Sequence, residues 1–177
     1  EQVVHGIPSR RELLEGDIVS IDCGLFRDGF FADMAVTVPV GAISQQAQDL
    51  IDVTRRSLEL GIAASQPNNR LGDIGDAIQR YAEGRGYGVV QDYTGHGIGR
   101  QLHEPPKIPN YGTRGKGTRI LPGMVLAIEP MVNIGTWKTE VLDDDWTVVS
   151  ADGSLSCHFE HTLAVTETGP LVLTRED

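Results

Sequence analysis

Apolar and polar positions along the chain change their period several times, and each change marks an element. Asp17 to Leu25 (DIVSIDCGL) is dense in β-branched and apolar residues and reads as a strand. Arg27-Asp28-Gly29 follows, and Asp-Gly is a hairpin signal because both positions accept positive φ. Phe30 to Val40 returns as the second strand. From Ser44 to Ala64 the period becomes helical, with Ala47, Leu50, Ile51, Thr54, Leu58 and Ile62 on one stripe and Ser44 as N-cap. Leu71 to Arg85 repeats it with Ile74, Ala77, Ile78, Tyr81 and Ala82, and Gly86 suits the C-cap. Two amphipathic helices need a common apolar surface, most simply a sheet. The remainder reads as a short strand from Gly88 to Tyr93, a Gly- and Pro-rich loop from Pro105 to Gly123, and strands at Met124 to Ile134, Trp146 to Val149, Ser156 to Val165 and Leu171 to Leu173. A hairpin, two helices and then antiparallel strands make an α+β fold of one domain over residues 1–177.

Five residues break the apolar pattern where it should be unbroken. They are Asp22 in IDCG, Asp33 in FFADMAV, His96 in GHGIGRQLHEPP, Glu129 in LAIEPMVN and Glu160 in SCHFEHTLAV. A carboxylate inside a buried strand is costly unless paired or bound to a cation. No Lys or Arg in those strand segments matches them, so the set asks for metal. Asp22 and Asp33 straddle the Asp-Gly turn. Pairing with opposed numbers summing to 55 sets them opposite, and 57 sets them diagonal. Either register puts both carboxylates on one face, where like charges repel without a cation between them. Oxygen-rich sites with one imidazole suit Mn, Fe, Co or Zn, and carboxylates can bridge two such ions. A two-metal centre activates water and clamps a tetrahedral intermediate, which suits amide hydrolysis.

Composition narrows the field. The net charge of −10 speaks against a nucleic-acid surface, which wants basic residues. No apolar run reaches the roughly 20 residues of a membrane span, and no signal segment opens the chain. Cys23 and Cys157 read as reduced core residues of a cytoplasmic protein, with a disulfide between them as the alternative. GHGIG lacks a phosphate-loop pattern, and no helix opens after it. His103 reads as a donor that polarises a carbonyl and stabilises its oxyanion. Taken alone, His5 reads as surface; His158 and His161 as solvated or supporting residues; Glu140 and Asp143 to Asp145 as a solvated turn; and Glu104 as an outward loop residue.

VVHGIPS, IDCG, FADMAVTVPVG, GHGIGRQLHEPP, IEPMVN and FEHT, in this order from Val3 to Thr162, resemble the methionine aminopeptidases of the pita-bread fold. The short stretch between Glu129 and Glu160 resembles the type I, bacterial-like form. The resemblance implies that Asp22, Asp33, His96, Glu129 and Glu160 bind two divalent metals, with Asp33 and Glu160 as bridges. It implies that His5 and His103 contact substrate and intermediate, and that Glu129 helps move the proton of the attacking water. It also matches Trp146 to an aromatic of the methionine pocket, and sets Leu102 where relatives carry an aromatic pocket residue. The expected partners are the N-terminal methionine of nascent polypeptides and the ribosome. Family members carry some tens of residues before VVHGIP, including helices over half the sheet, so this chain reads as an N-terminally truncated catalytic domain. An X-Pro peptidase shares the fold and ligands, but HGIPS, IEPMVN and FEHT resemble the methionine enzymes better. A metal-free peptide- or protein-binding module of the same fold is the alternative of another class.

Overall fold

The structure, a computed structural model, describes residues 1–175. Strands β2 (Ile18–Arg27) and β3 (Phe30–Pro39) form the hairpin, closed by Asp28 and Gly29 at φ 51° and 88°. Asp22 pairs with Ala35 and Gly24 with Asp33, so the hairpin takes the register that sums to 57 and the two aspartates are diagonal on one face. Helix α1 (Gln45–Ala64) begins at Ser44, whose hydroxyl accepts from the Ala47 N–H at 3.2 Å. Helix α2 (Leu71–Glu83) ends two residues before the sequence reading, at Gly84, and Gly86 follows at φ 87°.

The remaining strands are β1 (Gln2–Val4), β4 (Gly88–Val89), β5 (Thr94–Gly97), β6 (Glu104–Pro109), β7 (Val125–Ile128), β8 (Met131–Asn133), β9 (Thr139–Val141), β10 (Val148–Ser150), β11 (Ser156–His158), β12 (Glu160–Thr166) and β13 (Gly169–Val172). The large sheet runs β2-β3-β12-β7-β5-β6, with β13 also on β12; two three-stranded sheets, β11-β8-β4 and β1-β10-β9, adjoin it. Two corrections concern local placement. Residues 104–109, read mostly as loop, are strand β6, because β5 offers a free edge that even a Pro-rich segment can join. Glu104 lies in that strand, where its Oε1 accepts from the Gln101 N–H. Cys157 is a buried free thiol, but Cys23 is exposed, since β2 is the sheet's edge and lacks a covering layer.

Both helices pack on one face of the sheet through Leu50, Leu58, Ile74 and Ile78, against Leu126, Ile128 and Leu163. They cover the edge hairpin only in part: Ile18 and Val36 pack against the core, but Ile21, Leu25, Phe26 and Phe30 are each more than half exposed. No helix among the described residues is long and apolar enough to cross a membrane. Apolar surface along a ten-residue edge strand is a template for further pairing. The 177-residue chain is therefore expected to self-associate in solution, and Ile21→Lys to shift it toward monomer, as read by light scattering after size exclusion. A monodisperse wild-type monomer at all concentrations would remove this expectation.

Candidate metal centre

The chain builds the site where two strands leave one sheet for another. His158 pairs with Met131 in the small sheet and His161 with Ile128 in the large one. The same register carried across this seam sets Glu129 opposite Glu160 and Pro130 opposite Phe159. Pro130 has no N–H to donate to a ladder, which suits a break there. The Glu129 backbone is held by the Asn110 side chain, whose Nδ2 donates to its carbonyl at 3.0 Å. Two glutamates thus face each other at a position fixed from both sides. Directly opposed like charges are unfavourable without a counter-charge.

Asp33 and His96 arrive from β3 and β5, three strand positions apart in the sheet order. In a flat sheet that separation is about 14 Å, from a spacing of roughly 4.8 Å per strand. Yet ligand atoms of Asp33, His96 and Glu160 lie within 4.8 Å of one another. The sheet is therefore strongly concave here, and its curvature assembles the site. Two contacts brace it. The Phe31 N–H donates to the Gly99 carbonyl at 2.7 Å, tying the hairpin to the histidine segment. The Thr162 hydroxyl donates to the Asp33 carbonyl at 2.8 Å and accepts from the Asp33 N–H at 2.9 Å.

His96 is buried, and its Nδ1 lies 2.9 Å from the Gly97 carbonyl. A carbonyl only accepts, so Nδ1 carries the proton and Nε2 presents its lone pair to the carboxylates. A second group, Glu129, His158 and Glu160, also brings its ligand atoms within 4.8 Å and shares Glu160 with the first. Asp22 belongs to neither group. It stands exposed on β2, on the same face as Asp33, close enough for its charge to act on Asp33 and Glu160.

The electrostatics are those of a site short of positive charge. Burial first, and then the charges of Glu129, Asp33 and Asp22, push the Glu160 carboxyl up to about 10. Burial and the Asp22 charge push Asp33 up to about 6. Glu160 Oε1 is buried without a hydrogen-bond partner. An orphaned buried carboxylate oxygen among three other acidic groups fits one or two divalent cations by donor chemistry. Both carboxyls bind protons more tightly folded than unfolded. Metal-free stability is thus fully present below their ordinary values of 3.8 and 4.5, and is lost as pH rises through about 6 and on toward about 10. Cation uptake at neutral pH is expected to release about one proton, that of Glu160. Calorimetry in buffers of different ionisation enthalpy reads this directly; a buffer-independent heat would mean that Glu160 is already ionised.

Of the other residues singled out in the sequence, His103 touches the centre directly. The His103 ring meets that of His96 edge-on at 4.4 Å. Burial, then the neighbouring charges of His96 and His5, hold His103 below its ordinary value of 6.5, despite Glu129 and Asp22 acting the other way. His5, at φ 60°, follows β1 and stacks on Trp146 at 4.5 Å, with Tyr93 edge-on at 5.5 Å. Tyr93 carries no local signal in the sequence. His158, expected to be solvated or supporting, is buried, and its two-residue offset from Glu160 is the signal for that. Leu102 lies beside Gly24, its Cδ1 3.6 Å from where a Cβ would stand, in the neighbourhood of Asp33. His161 turns away, its Nδ1 2.9 Å from the Thr174 hydroxyl.

The profile of metallopeptidase family M24 matches residues 1–167. The chain is 53% identical over 173 residues to a methionine aminopeptidase of Clostridium perfringens, covering 98% of this chain and 70% of that one. The chain belongs to metallopeptidase family M24, in its methionine aminopeptidase branch. A crystal structure of a methionine aminopeptidase from Thermotoga maritima superposes with a TM-score of 0.96 at 49% identity, covering 99% of this chain and 71% of that one. A prolidase from Pyrococcus furiosus matches at a TM-score of 0.77 and 25% identity, covering 98% of this chain and 45% of that one. The M24 member is thus a pita-bread protein, as the motifs implied, and the carboxylate–histidine groups suit the divalent metals of a metallopeptidase.

Proposed function

We propose that this chain removes the N-terminal methionine from nascent polypeptides as a metal-dependent aminopeptidase, with residues 1–177 belonging to one catalytic domain. The observation that carries the reading is the convergence of Asp33, His96, Glu129 and Glu160 through shared proximity to Glu160, in a chain about half identical to methionine aminopeptidases. Asp33, Glu160, Glu129 and His96, with Asp22 from the edge strand, would hold two divalent ions. Bound there, such ions (Co, Mn, Fe or Zn) lower the pKa of water and polarise the scissile carbonyl. Glu129 takes up the proton of the attacking water on the side facing His96. His103 is neutral at neutral pH and donates an N–H to the developing oxyanion. His5, stacked on Trp146, faces the substrate; Trp146 and Leu102 offer apolar surface to a methionine side chain. The nascent-chain substrate carries with it a cytoplasmic location and work beside the ribosome.

Hydrolysis of Met-Ala-Ser with metal added, set beside a Gly-Pro substrate, tests the activity, and cleavage of Gly-Pro alone would overturn it in favour of an X-Pro peptidase. His103→Ala is expected to keep its metal and lose roughly 10²–10³-fold in kcat. Metal loss in that variant would make His103 a ligand instead.

A further inference from the structure

His158 is buried to 1% exposure beside the centre and has no part in the chemistry assigned above. Its Nε2 has no hydrogen-bond partner. That atom faces Glu129 Oε2 at 3.6 Å, just beyond hydrogen-bonding length, while the other oxygen of the same carboxylate, Oε1, faces His96 Nε2 at 3.5 Å. Among the described residues no other side-chain donor reaches the Glu129 carboxylate. The backbone that carries the ring is fixed, since the Thr37 hydroxyl accepts from the His158 N–H at 3.0 Å and donates to its carbonyl at 2.8 Å.

We infer that His158 is a positioning residue of the metal centre: its Nε2–H holds Glu129 Oε2, so that Oε1 is presented on the His96 side. This rests on the two-metal reading. A small ring rotation closes the 3.6 Å gap and gives the buried, unpartnered Nε2 of His158 an acceptor. His96 and His158 then divide the work. His96, with its proton on Nδ1, offers a lone pair, and His158, with its proton on Nε2, offers a donor. A carboxylate gripped at its remote oxygen cannot swing to present the wrong one, which is how a supporting donor orients a ligand. Direct ligation by His158 is the competing arrangement, since its ligand atom also lies within 4.8 Å of those of Glu129 and Glu160.

The proton position can be read without mutation. In the full chain loaded with Zn²⁺, two-bond ¹H–¹⁵N correlation spectra of the histidine rings are expected to show His158 protonated at Nε2 and not coordinated. A deprotonated, metal-shifted Nε2 would overturn the inference and make His158 a ligand. The same titration reports separately on the underlying reading, since a chain that takes up no Zn²⁺ removes the two-metal centre itself.

Substitution adds a functional readout. His158→Leu is expected to retain two ions per chain by Mn²⁺ calorimetry, with affinity reduced about 10–100-fold. Its kcat should fall on Met-Ala-Ser while KM stays unchanged. His158→Gln, whose side-chain amide can donate from nearly the same place as Nε2, should restore most of both. A purely structural role predicts no such rescue of kcat at equal melting temperature. Full activity and affinity in the Leu variant would overturn the proposal.

Discussion

Exchange of Glu160 for Gln is expected to abolish tight binding of at least one ion and to lower turnover by more than the roughly 10²–10³-fold that loss of one oxyanion donor costs. The size follows from its place. Glu160 is the residue common to both ligand groups, so its loss opens both at once. The same variant should make the metal-free chain more stable, on the order of 1–3 kcal/mol at neutral pH. The sign is fixed by the carboxyl being pushed up to about 10: the free chain holds a proton there that the unfolded chain releases near 4.5. A neutral amide escapes that cost. Mn²⁺ calorimetry, peptide hydrolysis and thermal melts of metal-free protein check the three parts. Two ions bound with wild-type affinity would end the assignment of Glu160 to both ligand groups.

Gly97→Ala is expected to be the most damaging methyl addition near the site. A Cβ there would stand 2.3 Å from the Pro105 carbonyl oxygen, and at Gly95 it would stand 2.4 Å from that of Ala127. These are backbone atoms of the strands on either side of β5, so no side chain can swing aside. The strand must shift, carrying His96 with it. Overpacking of this kind costs about 1–3 kcal/mol, and more where the backbone is boxed in on both sides. The expected result is a lower melting temperature together with weakened cation affinity, although no ligand has been touched. Retention of both at wild-type values would mean that β5 has room to move.

The histidine flanked by glycines, the Asp-Gly turn, the Ser44 cap and both helical stripes were legible because each depends on residues near one another in the chain. Asp22 and Asp33 could be placed on one face from the turn, since a two-residue Asp-Gly loop selects a register in which the alternation of the strands points both the same way. The motifs from Val3 to Thr162 also carried the family and the fold.

Other features depend on contacts between distant segments. The curvature that brings Asp33, His96 and Glu160 within 4.8 Å arises from the pairing of β3, β12, β7 and β5, and no local pattern encodes it. The assignment of residues 104–109 to a strand required the free edge of β5. The exposure of Cys23 required knowing that β2 lies at the edge. The stacking of His5 on Trp146, which pairing of β1 with β10 brings about, joins residues 141 positions apart. Which side chains are too polar for the strands that carry them follows from composition and period, and is legible in the chain alone. Where those side chains meet, and that His158 stands behind Glu129, was decided by the seam between two sheets, because only the folded chain sets strands from different sheets against one another.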